Sequence, residues 1–128
     1  MSYKYVIDSS AWIDYLGGTS LGAKLKRIIE EETIATSVLA IAEIADKCER
    51  DERPFEKFLQ YIQSRAAILP ITINIAVHAA KLKKQIRVKN QKFGLADAMH
   101  LATACEWKAI LVTIDNDFRD IDDATIVE

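Results

Sequence analysis

Cysteine is scarce: Cys48 and Cys105 are the only two in 128 residues, and neither sits in a CxxC or Cys/His spacing. A zinc site is therefore not expected; two buried thiols are the reading, with an intracellular disulfide of the hyperthermophile kind as the alternative. Long apolar runs are missing as well. The longest uncharged stretches, Thr33 to Ala42 and Ala66 up to Lys81, fall short of the roughly 20 consecutive apolar residues that a bilayer span needs. No membrane helix is expected. Met1 to Ser10 lacks the basic start, apolar stretch and small-residue cleavage site of a secretory signal, so the cytoplasm is the expected compartment. A basic excess is also absent. A net charge of -2 excludes broad, metal-free wrapping of a polyanion, which draws its affinity from surplus cations.

What is present is an ordinary globular balance, with 50% hydrophobic and 28% charged residues. The chain is long enough to bury most of its apolar surface and too short for two independent cores, so residues 1–128 are expected to form a single domain. No repeat, linker or low-complexity segment interrupts it. Short apolar runs alternate with amphipathic stretches, the pattern of an α/β fold with a parallel sheet covered by helices on both faces. Tyr5-Val6-Ile7, Thr33 to Thr36, Ala67-Ile68-Leu69, Ala109 to Val112 and Thr125-Ile126-Val127 read as strands, about five in all. Between them, Leu21, Leu25, Ile28 and Ile29 form one helical stripe. Phe55, Phe58, Leu59 and Ile62 form a second behind Pro54, a natural first helical residue. Ile75, Ala79, Leu82 and Ile86 form a third; Leu95, Ala98, Leu101, Ala102 and Cys105 form a fourth after Gly94. Ser37 is placed to cap a helix from Val38 to Asp51.

Ligand sites in open α/β sheets lie beyond the carboxyl ends of the strands, so the residues closing each strand matter most. Asp8 directly follows the first strand; it either caps the next helix or offers a carboxylate to a site. Glu43 interrupts an otherwise apolar run, Val38 to Ala45, where a charge needs a partner or a metal. Its alternative is a solvated stripe with Asp46, Lys47 and Arg50. Asp97 lies in the first turn of the helix after Gly94, where the helix dipole favours it with or without a function. His100, three residues on, shares its face or packs in the core. Thr113-Ile114-Asp115-Asn116-Asp117 closes the Ala109 to Val112 strand with a hydroxyl and two carboxylates, which also suits a purely local turn. Taken together, these carboxylates would repel one another unless a cation joined them, and Mg²⁺ or Mn²⁺, which take hard oxygen ligands, are the natural fillers.

The ordered set Ile7-Asp8-Ser9-Ser10, Ala42-Glu43-Ile44, Leu95-Ala96-Asp97-Ala98 with His100 to Ala104, and Leu111 to Asp115 with Asp117-Phe118 strongly resembles PIN-domain nucleases. Within that family it is most similar to the VapC-type toxins of prokaryotic toxin–antitoxin pairs. The resemblance runs from about Val6 to Phe118. It implies a three-layer α/β/α fold and hydrolysis of single-stranded RNA by a metal-dependent endoribonuclease. It also implies frequent homodimers and a VapB-type antitoxin partner. By motif, the metal-binding and catalytic positions become Asp8, Glu43, Asp97 and Asp115, with Asp117 as an outer or alternative ligand and the hydroxyls of Ser9 and Thr113 in support. One sequence does not choose between Asp115 and Asp117 for the fourth position.

The chemistry expected is metal-assisted phosphodiester hydrolysis. From Ala79 to Ala96 there are six basic residues and no acidic one. Lys89, Lys92 and Arg87 thus form either a track for the RNA backbone or a solvated helix face. Three alternatives stand against the toxin reading. One is an RNA-processing PIN nuclease outside a toxin system; another is a PIN-like module that binds RNA or a partner without cutting. The third, a phospho-acceptor domain, would want an acidic pair at the first strand and an acceptor Asp after the third, where this chain has Asp8 alone and Leu69-Pro70. An antitoxin would cover the early helices, with Trp12, Ile13, Leu16 and Leu21 as contacts if they are not core.

Overall fold

The structure, a computed structural model, describes residues 2–128. Five parallel strands stand in the order β3-β2-β1-β4-β5: β1 (Tyr5–Ile7), β2 (Ile34–Ser37), β3 (Ala67–Leu69), β4 (Ile110–Thr113) and β5 (Ala124–Ile126). Parallel neighbours need crossovers, and seven helices supply those before β4: α1 (Ser9–Leu16), α2 (Ser20–Ala23), α3 (Lys26–Glu31), α4 (Val38–Asp51), α5 (Phe55–Arg65), α6 (Ile73–Arg87) and α7 (Leu95–Glu106); between β4 and β5 there is a 3₁₀ turn, Asn116–Phe118. The expected α/β class is therefore observed, and each expected strand lies within one residue of its observed position. The chain builds outward from β1 to β2 and β3, then returns to the other side of β1 with β4 and β5. The boundary between β1 and β4 is thus the topological switch point, where side chains leaving two adjacent strands diverge and open a crevice.

Successive strand residues face opposite sides, so each strand feeds two cores. Val6, Ala35 and Leu111 join Phe93, Leu101 and Phe118 on one face of the sheet. Ile7, Ile34 and Val112 join Trp12, Ile29, Ile44 and Ile62 on the other. Fully burying side chains of this size contributes roughly 1.5–3 kcal/mol each before entropy is counted. Both cysteines are free thiols, Cys48 buried and Cys105 partly so. No described helix is long and apolar enough to cross a membrane.

Three readings need adjustment. The Leu21 to Ile29 stripe is two short helices, not one, because Gly22 lies against the end of α1. A Cβ there would sit 2.1 Å from the Asp14 carbonyl oxygen, and the chain turns through short bonds from Lys24 to Leu21 and from Leu25 to Gly22. Pro54 precedes α5 as its cap rather than opening it. Trp12 is completely buried, its indole Nε1 donating to Thr36 Oγ1 at 3.1 Å, so it belongs to the core and offers no surface to a partner.

Candidate functional site

Most of the buried polar side chains cluster where the strands end. Asp8, Thr36, Ser37 and Thr113 close β1, β2 and β4, and His100 joins them from α7. Asp8 is 3% exposed and caps α1: its Oδ1 accepts from Ala11 N at 2.9 Å and from Ser10 Oγ at 2.8 Å. Capping and a buried carboxylate at the switch point are thus the same residue's properties. Burial pushes the Asp8 carboxyl above its usual range, against the pull of the Thr113 hydroxyl, the Ala11 amide, the His100 imidazole and Ser10.

Glu43 leaves the expected surface stripe. Lys47 pairs with Asp51 at 3.0 Å and Arg50 with Asp46 at 3.3 Å, each one helical turn apart, while Glu43 turns inward. Its Oε1 accepts from His100 Nε2 at 2.5 Å and from Ser9 Oγ at 3.0 Å. Burial disfavours the charge on Glu43, but the His100 hydrogen bond and charge, with Ser9, outweigh it and hold the carboxyl below its usual range. Sequence reasoning left His100 between two roles. The structure gives it both, since it is 3% exposed and bridges Glu43 to the Ser37 hydroxyl, 3.5 Å from its Nδ1. No local signal announced this bridge: Ser37 closes β2 while Glu43 and His100 lie on α4 and α7, which only the fold brings together. Ser37 also caps α4 through Ala40 N at 3.2 Å, over the expected span.

Asp97 stands in the first turn of α7, its Oδ2 accepting from Gly94 N at 2.9 Å. Because α7 returns the chain to the start of β4, this turn lies on the side where strands end. Burial raises the Asp97 carboxyl; Gly94 N–H opposes the rise, and the negative charges of Asp115 and Asp117 add to it. Asp115 caps the 3₁₀ turn Asn116–Phe118, accepting from Asp117 N at 2.9 Å, while Thr113 Oγ1 accepts from Asp115 N at 3.0 Å. The local-turn reading is therefore correct, and the turn also brings both carboxylates within electrostatic reach of Asp97.

In Glu43, Asp97 and Asp115 the hydrogen bonds fall on one carboxylate oxygen, and the other has no hydrogen-bond partner among the described residues. Among those residues, no three His, Cys, Asp or Glu side chains close around a point tightly enough to enclose an ion by themselves. Asp115 and Asp117 nonetheless lie near enough to Asp97 to disfavour its charge. A donor set of carboxylate and hydroxyl oxygens suits a hard divalent ion and offers little to a soft one.

The expected RNA-binding residues separate. Lys89 lines a groove that reaches Asp117, whereas Arg87 folds back onto the Gln91 carbonyl at 2.8 Å and Lys92 lies exposed outside that groove.

The chain matches the family model described as PIN domain over residues 5–124. No curated protein matches it. Among solved structures it is similar to a toxin-antitoxin complex from Klebsiella pneumoniae, with 21% identity, 98% of each chain covered and a TM-score of 0.80. It is also similar to VapBC2 from Rickettsia felis bound to a promoter DNA fragment, with 18% identity, 95% of this chain and 96% of that chain covered and a TM-score of 0.72. A third likeness is to Mycobacterium tuberculosis VapC20, described as a Sarcin-Ricin loop cleaving toxin, with 16% identity, 90% of this chain and 92% of that chain covered and a TM-score of 0.69.

Proposed function

The chain belongs to the PIN domain family, and from that premise we propose that it is a metal-dependent endoribonuclease, the toxin of a VapBC-type toxin–antitoxin pair. What supports this reading is a chain of contacts on the side where the strands end: His100 bonds Glu43 and acts on the charges of Asp8 and Asp97, and Asp115 and Asp117 act on the charge of Asp97. Residues 1–128 work as one nuclease domain in the cytoplasm.

Asp8, Glu43, Asp97 and Asp115 would hold Mg²⁺ or Mn²⁺, with Asp117 beside them. When bound, the ion supplies a water acidic enough to attack a phosphodiester and neutralises the charge that develops on the phosphate. The chain's own residues prepare that event. Ser9 and His100 fix Glu43 through one oxygen and leave the other for a ligand. Gly94 does the same for Asp97, while Ser10, Ala11 and the Thr113 hydroxyl hold Asp8 in place at the end of β1. Preorganised carboxylates spare the reorganisation that floppy ones would need at each turnover. RNA approaches along the cationic side of α6 and the segment after it, where Lys89 lines the groove that also holds Asp117. Its partners, in this reading, are a VapB-type antitoxin and a second copy of the chain, in line with the toxin–antitoxin complexes among the similar folds.

Incubating the purified chain with single-stranded and structured RNAs tests the activity. Cleavage with Mg²⁺ or Mn²⁺ and none with chelator is expected; cleavage that persists in chelator, or none with either ion, would reject it. Growth arrest on expression, relieved by the product of a short neighbouring frame, separates a toxin from a processing enzyme.

A further inference from the structure

A groove of about 660 Å³ opens between the C-terminal turns of α6 and the segment that leaves the 3₁₀ turn after β4. Gln85, Ile86 and Lys89 form one wall; Asn116, Asp117 and Ile121 form the other. We propose that this groove is a base-recognition subsite, receiving the nucleobase next to the scissile phosphate of an RNA strand; the inference rests on the ribonuclease reading above.

Three features point to a base rather than to an isolated phosphate. The groove's charges balance: Lys89 and Arg119 face Asp117 and Asp120. The Arg119 guanidinium is further engaged by Glu128 and by Asn116 Oδ1, the latter at 2.7 Å. Such a site does not concentrate a small anion. Next, Ile86 and Ile121 pack partly buried on the core and supply an apolar floor, which a flat, weakly hydrated ring can cover. Last, the polar groups left over are amides. Gln85 has no hydrogen-bond partner among the described residues, and Asn116 uses its oxygen on Arg119 while its Nδ2 has none there. Side-chain amides match the paired donor and acceptor edges of bases. Asn90, in contrast, is committed to the framework: its Nδ2 donates to the Asp117 carbonyl at 3.1 Å and its Oδ1 accepts from Lys92 N at 3.0 Å. It ties the segment after α6 to the turn and holds the wall in place.

Asp117 belongs to both the groove and the repelling carboxylate group. A strand with a phosphate at the carboxylates therefore has its neighbouring nucleotide at the groove, and Lys89 at the rim lies beside that nucleotide's backbone.

The test uses the full chain in chelator, so that binding is read without cleavage, with the four ribonucleoside monophosphates and inorganic phosphate as probes. Side-chain amide NMR signals of Gln85 and Asn116 are expected to shift with base-dependent affinity and not with inorganic phosphate, and Gln85→Ala is expected to weaken the preferred nucleotide about tenfold. Inorganic phosphate binding as well as the nucleotides, or shifts confined elsewhere, would overturn the subsite. The two readings fail separately. Metal-dependent cleavage whose base preference at the cut is unchanged in Gln85→Ala overturns the subsite and keeps the ribonuclease. Base-dependent groove binding in a chain that cuts no RNA overturns the ribonuclease and keeps a nucleotide site.

Discussion

Glu32, beside the start of β2, has Lys4 at 3.5 Å and Arg27 at 3.7 Å, whereas Asp97, on the side where the strands end, has Asp115 and Asp117 for neighbours. The contrast extends beyond these residues. At the amino-terminal side, Arg65 donates to the carbonyls of Ile29 and Glu32, closing the end of α3. At the carboxyl-terminal side, Asp8 is buried against the preference of its charge and its neighbours only partly compensate. One end of the sheet is arranged for stability. The other holds Asp8 and Asp97, carboxylates whose charge burial disfavours, a local cost of the kind that stability–function trade-offs carry.

The largest effect expected from breaking this contrast is on activity. Asp97→Asn keeps an acceptor for Gly94 N–H but removes a charge from the cluster, and single-turnover cleavage should fall by about 10² to 10³-fold, the range for deleting one preorganised electrostatic partner. The folded variant should melt no lower than wild type, because repulsion is relieved; a variant that cleaves normally would remove Asp97 from the site. Next in size is the opposite end. Arg65→Ala leaves carbonyls of α3 without their charged donor and should cost about 2 kcal/mol in denaturant unfolding, with cleavage per folded molecule unchanged. A loss of activity beyond the loss of folded protein would show that the two ends are not independent.

A smaller effect is expected on the cationic approach. Lys89→Glu combined with Lys92→Glu should weaken RNA binding and lower the slope of log affinity against log salt by about 1.4, two single-strand phosphate contacts' worth. Unchanged affinity and slope would reduce the lysines to a solvated face.

The smallest is a pH effect in chelator. Asp8 and Asp97 are raised, so the folded chain binds these protons more readily than the unfolded one, and stability should grow as pH falls through their folded values and be lost as pH rises. Glu43 runs the other way: held low, it contributes stability that is present above its unfolded value and lost as pH falls through its folded one. Melting curves followed from neutral pH down through the carboxyl range should show a smaller gain on acidification for Asp97→Asn than for wild type; equal gains would contradict a raised Asp97 carboxyl.

Much of this was legible in the sequence because the relevant signals are local. The alternation of apolar runs with helical stripes gave the sheet, and Ser37 before an apolar run gave the start of α4. The positions of Asp8 and Thr113 at strand ends followed from the same pattern. What escaped was set by packing between distant segments. The break between α2 and α3 depends on Gly22 meeting the Asp14 carbonyl. The burial of Trp12 depends on Thr36, and the bridge from Glu43 through His100 to Ser37 joins residues far apart in the chain. Two local readings also proved true: Asp8 caps α1 and Asp115 caps the 3₁₀ turn, and Asp115 in addition acts on the charge of Asp97.

Mn²⁺ binding, followed by electron paramagnetic resonance on the RNA-free chain, tests the central idea most directly. Saturable binding by the wild type is expected, with affinity at least about tenfold lower in both Asp8→Asn and Asp97→Asn and unchanged in Asp51→Asn, whose carboxylate is already paired with Lys47 on the surface. Equal affinity in all four proteins, or no saturable binding in any, would mean that these carboxylates do not share an ion.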